Sequence, residues 1–303
     1  MKIIITGANG IIGRQLVSKI LNSYSNLKIL VLERKESVIK HVNITSLKMD
    51  LLKSNSDSFN DLIKKFQPDL FFHLAWNTNH SDYLTSSENK DWETTSKLLI
   101  DAFYSNGGKK FIGLGSSIEY DWSYNSPLIE NITPYSKEYE YSKSKLSVLK
   151  YLKSKEKDFL WGRVFFVFGS NQSDTRLIPK IISNALTGIP ELSIVGDIER
   201  DYLSTNEIAN QIILMEHANY NGEFNVCSGQ PIKLQQIVDL VSKITNKSIN
   251  LKNNNYDGPL KSKTVFGSLK KLNEYYPKYV YSIKHLEADL RLTIKSFKDI
   301  IHE

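Results

Sequence analysis

Apolar and polar positions along the chain fall into short apolar runs separated by stretches of helical spacing. Residues 2–6 (Lys-Ile-Ile-Ile-Thr) make a compact apolar run that stops at Gly7, as a buried strand does. Ile11, Ile12, Leu16, Val17 and Ile20 then recur on one helical face. Further strand runs lie at 28–32, 69–75, 110–114 and 159–168, with helical patterns at about 58–66, 89–105 and 137–154 between them. Strands alternating with helices predict an α/β fold with a parallel sheet covered on both faces, and right-handed crossovers make that sheet doubly wound. After Gly169 the alternation loosens. A helix is predicted over 177–186, short strands at Ile194-Val195 and Tyr202-Leu203, and helices over 207–217 and 234–244. The expected division is a first domain over residues 1–168 and a smaller C-terminal α/β domain over 169–303, part of 204–228 packing back on the first.

Composition narrows the class. The chain has 303 residues, 41% apolar and 24% charged, as in soluble globular proteins, and is long enough to bury a core without disulfides or metal. Cys227 is the single cysteine, which rules out an internal disulfide, and no Cys/His cluster has metal-ligand spacing. A lone thiol fits a reducing, cytoplasmic setting. The N-terminal apolar run is too short for a signal peptide, and no window reaches the ~18 apolar residues of a membrane span, so no membrane association is expected. The net charge of +6 suits nucleic acid or a small anion. Its lysines are scattered, as at helical spacing over Lys143 to Lys157, and no basic patch carries interleaved aromatics. A solvated surface is therefore expected, with no nucleic-acid partner.

The strongest local signal is Thr6-Gly7-Ala8-Asn9-Gly10-Ile11-Ile12-Gly13, which follows a strand and opens a helix. Gly7 permits a tight turn, Gly10 lets the backbone approach a pyrophosphate, and Gly13 permits close helix–sheet packing. The helix start offers free N–H groups and a partial positive charge to phosphates. The doubly wound sheet thereby reads as a Rossmann dinucleotide-binding domain. At the end of the second strand, Glu33 lies about twenty residues past the last glycine, where an acidic side chain accepts ribose hydroxyls and favours NAD. Arg34 and Lys35 beside it suit the extra phosphate of NADP, so the cofactor is read as NAD(P)(H), with Glu33 favouring NAD. The expected cofactor contacts are Gly7, Asn9, Gly10, Ile11, Ile12, Gly13, Glu33, Arg34, Asp50, Leu51, Leu74, Ala75 and Trp76.

Seven motifs stand in one order: Thr6 to Gly13; Asp69-Leu-Phe-Phe-His-Leu-Ala75; Gly115-Ser-Ser-Ile-Glu-Tyr120; Tyr141-Ser-Lys-Ser-Lys145; Arg163 to Gly169; Arg200-Asp-Tyr-Leu203; and Gly222 to Gly229. In this order they resemble the extended short-chain dehydrogenase/reductase family, in its branch of nucleotide-sugar epimerases, dehydratases and reductases. Two Tyr-x-x-x-Lys pairs compete, Tyr139 with Lys143 and Tyr141 with Lys145, and both would share a helical face. The spacing from Thr133-Pro134 and from Ser116 favours Tyr141, leaving Tyr139 as a surface aromatic. The resemblance implies that Lys145 binds the nicotinamide ribose and lowers the phenol pKa from its usual value of about 10. Tyr141 then exchanges a proton with a carbonyl or alcohol oxygen while the cofactor exchanges hydride, and Ser116, with Ser117 as the alternative, holds that oxygen.

Departures from the family's patterns restrict the reaction. The dehydratases carry Asp-Glu after the Ser/Thr, and this chain has Ser117-Ile118. GDP-fucose-synthase-like enzymes carry a cysteine base two residues after the serine, and this chain has Ile118. Glu119 is displaced by one residue, and strand alternation would point it to the opposite face. Elimination and C3/C5 epimerisation are thus disfavoured, which leaves oxidoreduction at C4. The expected activity is NAD(P)H-dependent reduction of a nucleotide-activated 4-keto-6-deoxy sugar, for deoxysugar and surface polysaccharide synthesis. A 4-epimerase with tightly bound NAD is the alternative, and a non-catalytic nucleotide-binding protein a further one, which the intact Ser116/Tyr141/Lys145 set opposes. Residues 169–303 would bind the nucleotide sugar. The substrate contacts expected are Asn77, Ser116, Arg200 on the pyrophosphate, and Lys261 where relatives have a second arginine. His73 reads as a packing and backbone support, and Trp92 as core or dimer interface. Helices near 90–105 and 141–155 suggest a homodimer, as in the family.

Overall fold

The computed structural model describes residues 1–35, 37–79, 81–136, 138–194, 198–253 and 262–301. In chain order the first elements are β1 (Lys2–Thr6), α1 (Ile11–Ser23), β2 (Lys28–Glu33), β3 (Ile44–Lys48), α2 (Ser56–Phe66), β4 (Leu70–His73), α3 (Glu88–Ser105), β5 (Lys110–Ser116), α4 (Glu140–Ser154), β6 (Phe159–Val164) and β7 (Phe166–Phe168). They are followed by α5 (Leu177–Thr187), β8 (Glu191–Ile194), β9 (Glu199–Arg200), β10 (Tyr202–Ser204), α6 (Thr205–His217), β11 (Gly222–Val226), β12 (Ile232–Lys233) and α7 (Leu234–Thr245). β13 (Asn250–Asn253), β14 (Thr264–Val265), α8 (Lys270–Tyr275) and α9 (Ile283–Ile301) complete the order.

The chain divides into two compact units. One comprises Met1–Glu119, Tyr135–Arg163 and Ala209–Phe224; the other comprises Tyr120–Pro134, Val164–Ile208 and Asn225–Glu303. A seven-stranded sheet in the order β11-β6-β5-β4-β1-β2-β3 organises the first. Strands β3, β2, β1, β4 and β5 pair in parallel. The order reverses between β1 and β4, and ligands of open α/β sheets bind beyond the strand ends at such a switch point. The sheet is buried through Ile3, Ile4, Ile5, Phe71, Phe72 and Ile112, all fully inaccessible. Phe71 stacks on Phe111 at 5.1 Å between ring centroids and meets the edge of Phe103, from α3, at 5.7 Å. The same helix buries Leu99 and Ile100, while α2, begun by an Asn55/Ser58 capping box, buries Phe59 and Ile63.

Several elements differ from their sequence patterns. The single run read over 159–168 is two strands: β6 lies in the central sheet, whereas β7 pairs in parallel with β10. The helix read from 137 starts at Glu140, and Lys137 lies outside the described residues. The strand read at Ile194-Val195 spans Glu191–Ile194 and pairs with β13; Val195 also lies outside the described residues. In the second unit α5, α7 and α9 pack together, α9 burying Leu286, Leu290 and Ile294.

Removing the aromatic at the centre of the sheet should be costly. Phe71→Ala is expected to lower the unfolding free energy by about 3–5 kcal/mol, measured by chemical denaturation. A loss below about 1 kcal/mol would contradict the packing described here.

Candidate active site

Every group at the candidate centre belongs to the first unit. Gly7 sits at φ +72°, which suits glycine, and an added Cβ would meet the Ala75 nitrogen at 2.8 Å, so the turn after β1 rests against the chain leaving β4. A Cβ on Gly13 would lie 2.2 Å from the Gly7 carbonyl and 2.8 Å from Ala8 Cα, so Gly13 lets helix α1 pack closely on the turn that leaves β1. Gly10 is the N-cap of α1 and no side chain caps that end. The helix start thus offers its first N–H groups to an anion, and the glycine cradle and uncapped terminus fit a dinucleotide pyrophosphate. The Asn9 N–H donates to Glu33 Oε1 at 2.8 Å, and Asn9 Oδ1 accepts the Val38 N–H at 3.0 Å. Burial raises the Glu33 pKa, against the hydrogen bonds from Asn9 and Ala8. Arg34 is exposed. Asp50 caps the turn at Leu51, accepting the Leu52 N–H at 3.3 Å, and Leu51 is buried.

His73 supports this arrangement from below. Ser96 Oγ donates to the Trp92 carbonyl at 2.7 Å, so it accepts from His73 Nε2 at 2.8 Å. Nδ1 therefore accepts from the Thr6 hydroxyl at 2.8 Å, and Thr6 Oγ1 accepts the Ala75 N–H at 3.3 Å. Burial pushes the imidazole pKa down to about 3, with Lys145 adding to the shift, so the ring is neutral. It joins the ends of β1 and β4 across the switch point.

β5 and α4 bring Ser116, Tyr141 and Lys145 into the same unit as the glycine turn. Tyr141 is anchored by its own N–H to the Leu84 carbonyl at 3.1 Å, and its ring meets Tyr83 and Trp76 edge-on at 5.2 and 6.2 Å. Lys145 is buried; its Nζ donates to the Leu114 carbonyl at 2.8 Å and lies 3.7 Å from the centre of the Trp76 ring. Trp76 is fixed in turn by Nε1 donating to Asn89 Oδ1 at 2.8 Å. Burial pushes the Lys145 pKa down to about 7, opposed by the Glu119 charge. The Trp76 face and the Leu114 carbonyl also favour the ammonium.

Ser116 is half-buried at the strand end, whereas Ser117 is buried, so a substrate oxygen has readier access to Ser116. Tyr139 is buried at the N-cap of α4, not the surface aromatic expected. Glu119 corrects a second expectation. The chain leaves the strand in a tight turn over Ser117–Glu119, so strand alternation does not apply. The Glu119 carboxylate instead returns to accept the Ser116 N–H at 2.8 Å, Arg163 Nε at 2.7 Å and Trp161 Nε1 at 3.2 Å.

The model of the NAD-dependent epimerase/dehydratase family matches residues 3–227. The chain belongs to that family. It is 26% identical over 281 residues to a dTDP-D-glucose 4,6-dehydratase of Dictyostelium discoideum, covering 82% of this chain and 62% of that relative. It is 26% identical over 266 residues to the GDP-6-deoxy-D-talose 4-dehydrogenase of Aggregatibacter actinomycetemcomitans, covering 84% and 83%. Among solved structures, the UDP-N-acetylglucosamine 4-epimerase of Methanobrevibacter ruminantium M1 superposes with a TM-score of 0.85 at 25% identity, covering 99% of this chain and 98% of the other. The chain spans less than two thirds of the Dictyostelium relative, and 39% of a trifunctional Arabidopsis thaliana dehydratase/epimerase/reductase that it also resembles.

The remaining residues that the family resemblance singled out are less openly placed. In the second unit Arg200 is 4% exposed, and its guanidinium donates to the carbonyls of Glu199, Ser262 and Lys263 at 2.9–3.0 Å while facing Trp122 and Phe166. It is buried and organises the β9 region through these carbonyls, rather than standing open as the pyrophosphate contact expected. Asp201 takes the N–H groups of Ser228, Gly229 and Gly267. Asn77 accepts the Asn79 N–H at 2.9 Å in a local turn. Lys261 lies outside the described residues. Trp92 is buried between His73 and Trp76. Among the described residues no cluster of three His, Cys, Asp or Glu could hold a metal, and no helix is long and apolar enough to cross a membrane.

The displaced Lys145 equilibrium predicts a pH signature. Below about pH 7 the lysine is charged in folded and unfolded chains alike and its burial cost is fully felt; between about 7 and 10.5 only the unfolded chain is charged there. The unfolding free energy of the wild type minus that of Lys145→Met should therefore rise with pH across this window, with a slope approaching about 1.4 kcal/mol per pH unit. A flat difference in denaturation experiments would contradict the assignment.

Proposed function

We propose that the protein is a nicotinamide-dependent oxidoreductase acting at C4 of a nucleotide sugar, as a reductase of a 4-keto-6-deoxy sugar. The observation that carries this reading is the pairing of Tyr141 and Lys145 on α4, in the unit that also holds Ser116 and the glycine turn. Ser117 and Ile118 occupy the places where eliminating relatives have acidic residues, and Glu119 is bound to Arg163. Such a centre can pass one proton to one oxygen.

In this reading Ser116 Oγ and the Tyr141 hydroxyl hold the C4 oxygen, and Tyr141 donates its proton as the carbonyl becomes an alcohol. Lys145 stabilises the resulting phenolate. The nicotinamide, when bound, supplies the hydride. The turn over Gly7, Gly10 and Gly13 holds its pyrophosphate, and Glu33 favours NAD by accepting ribose hydroxyls and repelling a 2′-phosphate, against the nearby Arg34 and Lys35. The similarity to the GDP-6-deoxy-D-talose 4-dehydrogenase supports C4 chemistry on a 6-deoxy sugar. The second reading, a 4-epimerase retaining its NAD, is favoured by the full-length structural likeness to the UDP-N-acetylglucosamine 4-epimerase. A homodimer in the cytoplasm, serving polysaccharide synthesis, is the setting proposed.

Purified protein should oxidise reduced nicotinamide when given a panel of nucleotide-linked 4-keto-6-deoxyhexoses, read as loss of the reduced cofactor's absorbance. Tyr141→Phe is expected to lower kcat by about 10²–10⁴-fold. No consumption, with NAD retained through purification, would overturn the reductase reading in favour of epimerisation.

A further inference from the structure

The first unit contains a chain of buried charges that the proposed reaction does not itself use. Glu119 and Arg163 are both fully buried and ion-paired. Arg163 also pairs with Glu223 Oε2, to which the Tyr135 hydroxyl donates at 3.0 Å, while Lys153 reaches Oε1. Burial alone would raise the Glu223 pKa, but Arg163 and Lys153 hold it below the usual carboxylate range. A buried ion pair is seldom favoured over apolar packing for stability alone, so its position calls for another reason.

That position is directly behind the candidate centre. Glu119 divides its two oxygens: Oε1 takes the Ser116 N–H, and Oε2 takes Arg163 Nε and Trp161 Nε1. The chain is shaped to admit it, since a Cβ on Gly115 would lie 2.3 Å from both Glu119 Oε1 and Trp161 Nε1. The Glu119 carbonyl also accepts the Ser136 N–H at 2.8 Å, tying the turn to the segment that leads into α4. Trp161 is shared with the lysine, its ring lying 5.9 Å from Lys145 Nζ. Around that ammonium stand the Leu114 carbonyl, Trp76, Trp161 and Tyr141, with neutral His73 and anionic Glu119 as the titratable groups that feel its charge.

We propose that Glu119 is a positioning residue of this centre, its carboxylate holding the main chain of Ser116 and serving as the buried counter-charge to Lys145. Arg163 keeps Glu119 in place, and with both carboxylate oxygens engaged Glu119 takes no part in direct proton transfer. The proposal rests on Ser116 and Lys145 being the working groups, but it concerns their positions and charge, which can be read without substrate or cofactor.

The test is an NMR titration of the Lys145 side chain in isotopically labelled protein, its signal assigned by loss in Lys145→Met. Glu119→Gln should shift the Lys145 midpoint down by about one pH unit or more. Glu223→Gln removes the other carboxylate from Arg163 and should shift it by well under half that amount, which separates a counter-charge from general disturbance of the network. Glu119→Asp keeps the charge but shortens its reach. There the Lys145 midpoint should hold while the Ser116 amide exchanges about tenfold faster. An unmoved Lys145 in folded Glu119→Gln, or equal shifts in Glu119→Gln and Glu223→Gln, would overturn the counter-charge. Unchanged Ser116 exchange in Glu119→Asp would overturn the tether. If Glu119→Gln does not fold, the Glu119→Asp exchange measurement still decides the tether, and a Lys145 midpoint that falls by about one pH unit or more in Glu223→Gln overturns the counter-charge. Absence of turnover on every sugar tested would defeat the proposed reaction and leave these results intact.

Discussion

A lysine ammonium buried in the interior of an α/β unit sets the terms for everything around it. Water no longer solvates Lys145, so the protein must supply what water would: the Leu114 carbonyl, the π face of Trp76 and the field of a buried carboxylate. Each substitute needs its own support. Trp76 is held by Asn89, which is anchored to the carbonyls of Tyr83 and Ser86. Glu119 is held by Arg163 and Trp161. The candidate chemistry thus reaches into the core through defined hydrogen bonds, and several of the most deeply buried polar groups of this unit are part of its support.

The cofactor side obeys a different constraint, one of space. At the switch between β1 and β4 the backbone of Gly7 meets that of Ala75 so closely that no side chain fits. The Thr6–His73–Ser96 chain of hydrogen bonds fixes the two strand ends that make this approach. An imidazole kept neutral by burial does this without adding a second cation beside Lys145. The two constraints meet at Trp76, which follows Ala75 in the chain and covers Lys145 in space.

Much of this was legible in the sequence because the signals are local. The apolar runs of β1, β2, β4 and β5 and the glycine spacing follow directly from backbone geometry and burial. The Tyr141 register depended on spacing and family resemblance. Other features carried no local signal. β3 reads Ile-Thr-Ser-Leu-Lys and is largely exposed at the sheet edge, so it shows no apolar run. The split between β6 and β7 is invisible because Phe165 and Phe166 continue the apolar stretch. Glu119 could not be placed by strand alternation, since a turn intervenes, and its partner Arg163 is distant in sequence. Arg200 is buried by partners more than sixty residues away, Ser262 and Lys263. By contrast, Leu286, Leu290 and Ile294 gave α9 a readable helical stripe that the alternation of the N-terminal half overshadowed.

The central claim is that this chain moves hydride at C4 of a nucleotide sugar. Its most direct test supplies reduced nicotinamide deuterated at the transferring carbon together with a nucleotide-linked 4-keto-6-deoxy sugar, and locates the label in the product by mass spectrometry and NMR. The account predicts one deuterium at the sugar C4, with no solvent-derived hydrogen at C3 or C5. Label absent from C4, with solvent hydrogen incorporated at C3 or C5, would contradict it.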